Sequence, residues 1–213
     1  MQAIFDIQPK GFTLVVGGDG RCFSSGAIQL IIGIAAVNDV TKRIIGTNGI
    51  FSTPAASDVI RKYRADGGIL LTASRNPGEL NDDLGIKYNI SNHGLALENV
   101  TNKIFETTKT ISEYKVIHDK AVRVPMCNHD YVLADLLFLG RPLKDRRNRL
   151  RSEIIDSVVG YVRLLESVFD YDLIKKFLTH TEGFGVLFDG IHNVTGPYAH
   201  AIHIDKLDLP GSS

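Results

Sequence analysis

The residue types best suited to chemistry gather around Ser74. It follows a short apolar run, Ile69-Leu70-Leu71, that reads as a buried strand. The run empties into Thr72-Ala73-Ser74-Arg75-Asn76-Pro77-Gly78, where small residues, proline and glycine break regular structure. A hydroxyl at the mouth of a buried strand, facing a basic side chain, suits phosphate chemistry: the oxygen accepts a phosphoryl group and the cation offsets its charge. The same features also describe an ordinary polar turn. After an acidic, Asn-rich loop, Ile86, Tyr88 and Ile90 alternate with Lys87, Asn89 and Ser91, the period-two pattern of a half-buried strand. Taken alone, Lys87 is a solvent-facing residue of that strand.

The elements that must hold this loop are legible upstream. Thr13-Leu14-Val15-Val16 is a strand ending in Gly17-Gly18-Asp19-Gly20-Arg21. Ser24 or Ser25 then caps a helix whose stripe is Ile28, Ile31, Ile32, Ala35 and Ala36. Arg43 to Gly46 is a second strand, and Thr53-Pro54 opens a helix as a cap followed by proline at the first helical position. Gly67-Gly68 leads into the third strand before Ser74. Strand and helix alternating with short connections predict a mainly parallel sheet with right-handed crossovers. Such sheets bind ligands outside the carboxyl ends of their strands. Asp19, Gly49 to Thr53, and Ser74 all fall at that edge.

Beyond Gly94, Leu97, Val100, Ile104 and Ile111 predict another amphipathic helix. Residues 113–139 read as mixed strand and loop. Arg141 to Arg151 is a dense basic run, read as a solvated connector. Helical spacing then extends to Lys175, and Val186 to Phe188 reads as a further strand. The predicted fold is α/β: a mixed, mainly parallel sheet flanked by helices over residues 1–152, then an incomplete second α/β unit over 153–213.

Composition bounds the function. Basic and acidic residues number 24 each, so no global charge points to nucleic acid or an anionic membrane. A hydrophobic fraction of 44% supplies a core, and no apolar run approaches the ~20 residues of a transmembrane helix. The first residues lack the basic start and long apolar run of a signal peptide. Cys22 and Cys127 form no metal or redox spacing, which suits reduced thiols and a cytoplasmic location.

Thr72 to Gly78, followed by Gly85-Ile86-Lys87-Tyr88-Asn89-Ile90-Ser91-Asn92, resembles the active-site serine loop of the α-D-phosphohexomutases, and within them that of the phosphoglucomutases. Their usual form is Thr-Ala-Ser-His-Asn-Pro-Gly, then Gly-Ile-Lys-Phe-Asn-Ile-Ser-Asn. The resemblance resumes at Glu153 to Val158 and extends through Val186 to Tyr198, weakening between about 113 and 152. It implies interconversion of glucose 1-phosphate and glucose 6-phosphate by a phosphoserine, through bound glucose 1,6-bisphosphate. Ser74 matches that serine and Lys87 the lysine beyond the loop. Arg75 stands where the family usually has histidine. Guanidinium keeps its charge throughout the neutral range, so Arg75 suits phosphate contact but not general base catalysis.

By resemblance Asn76, Asp19 and Arg21 lie on the side of the bound bisphosphate, although Asp19 and Arg21 also read as a structural turn. His192, in Asp189-Gly190-Ile191-His192, reads as structural rather than catalytic. Family members hold Mg2+ with an Asp-Gly-Asp-Gly-Asp-Arg loop and a phosphoserine oxygen. The single carboxylate of Gly18-Asp19-Gly20-Arg21 cannot make that cage, leaving Ser74, through its phosphate, as the metal contact here. The Thr-Ser-Gly-Leu-Arg segment, the metal loop and the sugar- and phosphate-binding loops have no counterpart in these 213 residues. The expectation is therefore a fragment or truncated form with impaired turnover, taking a hexose phosphate and self-associating through its second unit. The alternative is a non-catalytic binding or scaffold protein.

Overall fold

The three apolar runs become the centre of one sheet. The computed structural model describes residues 2–5, 11–116, 131–132, 151–191 and 193–210. Its strands are β1 (Thr13–Gly18), β2 (Lys42–Ile50), β3 (Gly67–Leu71), β4 (Ile86–Ile90), β5 (Tyr131–Val132) and β6 (Arg151–Ile155). They lie in the order β4-β3-β1-β2-β6-β5. β1, β2, β3 and β6 run parallel, while β4 and β5 are antiparallel to their neighbours. The mainly parallel α/β sheet expected from the sequence is what forms.

Because strand side chains alternate between faces, each central strand supplies two cores. Leu14, Val16, Ile45, Ile69 and Leu71 pack on one face against Ile28, Ile31 and Ile32. Those three isoleucines belong to α2 (Ser24–Ala35); α1 (Gln2–Phe5) and α4 (Glu98–Thr110) complete this layer, with Val100 and Ile104 turned inward. Val15, Ile44 and Leu70 face the other way, onto Val59 and Ile60 of α3 (Thr53–Tyr63). α5 (Ser157–Glu166) lies beside α3, and α6 (Tyr171–His180) follows it. α7 (Thr195–Ala199) and a π-helical segment (His200–Lys206) close this side. Tyr198 carries α7 into the second core.

Local chemistry moves several expected boundaries. The cap of α3 is Ser52, whose Oγ accepts from the Ala55 N–H, with Thr53 already inside the helix. The start of α2 has no side-chain cap: Phe23 occupies that position in a left-handed conformation, and Ser24 is buried within the helix. β6 spans the position at which a second unit was expected to begin, and pairs Lys42 with Arg151 through Gly46 with Ile155. The strand expected at Val186 to Phe188 does not form. This stretch has no regular structure, Leu187 is 92% exposed, and no described strand lies beside it to take its backbone hydrogen bonds. Cys127, most of 113–139 beyond Val116, the basic run over 141–150, and His192 lie outside the described residues.

Arg43 is a core residue that its strand pattern conceals. It has no exposed surface, and its Nη1 donates to the Ile32 carbonyl at 3.2 Å. Burial lowers its guanidinium to about 10.

Candidate functional site

Three strand ends converge at the carboxyl edge. The Asp19 N–H donates to the Leu71 carbonyl at 3.1 Å, and the Phe51 N–H to the Gly18 carbonyl at 2.8 Å. So close an approach requires glycine at 18, since a Cβ there would lie 2.3 Å from the Leu71 oxygen. The turns after β1, β2 and β3 are therefore tied to one another before any ligand arrives.

Ser74 stands at the top of this edge, exposed, with φ of 58°. A non-glycine residue rarely adopts that left-handed backbone, and it persists where the surroundings hold it. Its N–H donates to Thr72 Oγ1 at 3.1 Å. Its hydroxyl faces the cation expected from the sequence: Lys87 Nζ donates to Ser74 Oγ at 2.9 Å. The antiparallel pairing of β4 with β3, which sets Lys87 opposite Leu70, brings them together. An ammonium at this distance stabilises negative charge building on or near the serine oxygen.

Arg75 is exposed and makes no hydrogen bond or ion pair among the described residues. Asn76 turns back into the loop, where its Nδ2 donates to Asp83 Oδ2 at 2.9 Å. Asp19 and Arg21 lie beneath the loop, their side chains only 10% and 7% exposed, in an ion pair of 2.7 Å. Burial pushes the Asp19 carboxyl up, but hydrogen bonds from Arg21 and Thr72 outweigh this and hold it below its ordinary value. The same pairing raises the Arg21 guanidinium. Arg21 Nη1 and Nη2 also donate to the carbonyls of Ser74 (3.2 Å), Asn76 (3.3 Å), Pro77 (3.1 Å) and Asp83 (2.8 Å).

Thr72 entered the sequence reading only as the first residue of the loop motif, and Asp83 only as part of the acidic stretch after it. Both act through short-range geometry within the loop, for which only the clustering of Thr, Asn and Asp around Pro77-Gly78 was a signal. The described residues do not make a magnesium cage. No group of three His, Cys, Asp or Glu side chains converges among them, and the Asp19 carboxylate is engaged by Arg21. No helix among them is long and apolar enough to cross a membrane.

Comparison with known proteins matches this arrangement to one family. Residues 1–115 match the family described as phosphoglucomutase/phosphomannomutase, alpha/beta/alpha domain I. The chain is 48% identical over 215 aligned residues to a phosphoglucomutase of Schizosaccharomyces pombe, covering 100% of this chain and 36% of that protein. Against human phosphoglucomutase-1 the identity is 46% over 209 residues, covering 97% and 35%. The Paramecium exocytosis-sensitive phosphoprotein pp63/parafusin, a phosphoglucomutase in its open form, superposes with a TM-score of 0.86 at 34% identity, over 98% of this chain and 38% of that one. The chain thus spans about a third of the length of the relatives it matches.

Proposed function

Since the chain belongs to the phosphoglucomutase/phosphomannomutase family, we propose that it carries the phosphoryl-accepting part of a phosphoglucomutase reaction between glucose 1-phosphate and glucose 6-phosphate. The observation that supports this best is the Ser74 hydroxyl held 2.9 Å from Lys87 Nζ at the carboxyl edge of the parallel strands. In this reading Ser74 Oγ forms a bond to phosphorus as the bond from phosphorus to a sugar oxygen breaks, and the proton lost from the serine hydroxyl ends on that sugar oxygen. The Lys87 ammonium offsets charge on the transferring group. Arg75, charged and exposed, contacts the sugar phosphate; Asp19, Arg21 and Asn76 shape the side that receives glucose 1,6-bisphosphate.

Turnover by these 213 residues alone is expected to be impaired. Ser74 and Arg75 stand open to solvent, whereas phosphoryl transfer draws its rate from positioning and the exclusion of water. A magnesium ion in the reaction needs oxygen donors beyond the described residues. A cytoplasmic location and self-association through residues 153–213 belong to the same reading. Exposed Leu173 and Phe177, on the helix of residues 171–180, support the second of these.

Incubation with glucose 1,6-bisphosphate followed by mass spectrometry tests the assignment. The added phosphate is expected on Ser74 and is expected to vanish in Ser74→Ala. Labelling that survives this substitution would overturn it.

A further inference from the structure

We propose that Arg21 is a positioning residue: its guanidinium sets the left-handed conformation at Ser74 that presents the hydroxyl to Lys87. The proposal rests on the reading of Ser74 as the phosphoryl acceptor. It differs from a ligand contact because Arg21 acts wholly through the loop.

A guanidinium has five N–H donors in a rigid planar fork. In Arg21 they are all directed inward. Nε and Nη2 grip the Asp19 carboxylate at 3.0 and 2.7 Å, while Nη2 and Nη1 reach the carbonyls of Ser74, Asn76, Pro77 and Asp83. The contacts with Ser74, Asn76 and Pro77 gather the serine end of the loop, and Asp83 anchors its return toward β4. These oxygens lie outside any sheet ladder, so one side chain does for the loop what a partner strand does for a sheet.

The approach is built into the neighbouring residues. Gly78 leaves room for the arginine stem, since a Cβ there would lie 2.9 Å from Arg21 Cβ. The Cys22 N–H, next in the chain, donates to the Gly78 carbonyl at 3.0 Å. Asp19, tied by its own N–H to the end of β3, fixes the far side of the guanidinium. The clamp thus transmits the geometry of two strand ends to the backbone of Ser74. A lysine keeps the charge but presents its donors from a single atom, and cannot span these acceptors.

The test reads the Ser74–Lys87 contact directly and needs no phosphoryl transfer. In the full chain carrying Cys22→Ser and Ser74→Cys, the rate of alkylation at position 74 by iodoacetamide is followed against pH, with mass spectrometry to localise the adduct. Beside the Lys87 ammonium the introduced thiol is expected to titrate below the ordinary ~8.5. Adding Arg21→Lys, which preserves the charge next to Asp19, is expected to return the midpoint to ~8.5 with the circular dichroism unchanged. If Arg21→Lys does not fold, Asp19→Asn loosens the same clamp and is expected to move the midpoint in the same direction. A midpoint that stays low in the folded variant overturns the clamp. So does an ordinary midpoint before Arg21 is touched, because Ser74 is then not held at Lys87. Failure of Ser74 to take phosphate, with the thiol behaving as expected, would count against the phosphoryl-transfer reading and leave the clamp standing.

Discussion

The loop between β3 and β4 and the stretch from Thr181 to Ile191 are of similar length, both lack regular structure, and both lie at the surface. They are held in different ways. In the first, Arg21 reaches across more than fifty residues of sequence to four carbonyls, and Lys87 and Asp83 close the loop from its far side. In the second, the described polar contacts are local, such as Thr181 Oγ1 to the Phe177 carbonyl and the Ile191 N–H to Asp189 Oδ1. Among the described residues its ring contacts are Phe177 on Phe184 at 5.2 Å and Phe188 on His203 at 5.4 Å. Large apolar side chains stand out of it, Leu187 at 92% and Ile191 at 79% exposure. A loop that presents one hydroxyl to one cation needs long-range polar ties; a stretch held by local ones has no comparable reason to keep a single geometry.

The sharpest way to break this contrast lies beneath the first loop. Leu14→Ala hollows the core at the amino end of β1, the central strand that carries the site at its other end, and is expected to cost about 2–5 kcal/mol in denaturant unfolding, because Leu14 is fully buried. A loss under ~1 kcal/mol would show that the sheet is not the rigid base of the site. Tyr198→Phe probes how α7, beyond the second region, is tied to the end of β2. The Tyr198 oxygen accepts from the Ser52 N–H at 3.1 Å and shares a 2.7 Å hydrogen bond with Ser157 Oγ. Removing it leaves a buried N–H without its acceptor, at an expected cost of about 1–3 kcal/mol in the same measurement.

A smaller effect should appear in acid. Asp19 has a lowered carboxyl value in the folded chain, so its contribution is present above the unfolded value of ~3.9 and lost as pH falls through the folded one. An NMR titration of the Asp19 carboxyl is expected to place its midpoint below ~3.9, and a midpoint above this would mean that burial outweighs Arg21. Smallest of all, Leu187→Ser is expected to change stability by no more than ~0.5 kcal/mol, as for a surface position. A larger loss would reveal that Leu187 is covered in solution, and would erase the contrast between the two loops.

How legible each part was follows from the range of its contacts. β1, β3 and the helix through Val59 and Ile60 are written in local periodicity, because each buries a face whose spacing the sequence repeats. The serine loop and Lys87 were visible as a motif, and strand pairing then brought them within hydrogen-bonding distance. The work of Arg21 was not visible: its acceptors are backbone oxygens, which carry no side-chain signature in any sequence. Arg43 was hidden for a related reason, since strand alternation allows a residue to face a core without saying that the residue is charged. The missing strand at Val186 to Phe188 is the converse. Three apolar residues fit a strand pattern, but a strand exists only where another backbone pairs with it.

The sheet order has a consequence for how the chain is made. β2 is flanked by β1 on one side and by β6 on the other, and β6 is synthesised last among the strands of the sheet. Roughly 100 residues separate β2 from β6, so at ~5–20 residues per second a ribosome takes on the order of 5–20 s to deliver that partner. Throughout that interval the outer edge of Lys42 to Gly46, with Ile44 and Ile45 in its middle, has no β6 to cover it. Such an edge invites pairing with another nascent chain, and Lys42 is the charge best placed to discourage it. In the finished fold the same lysine turns to Glu153 of the arriving strand at 2.6 Å. A side chain that guards the edge during synthesis thus becomes part of the latch that closes it.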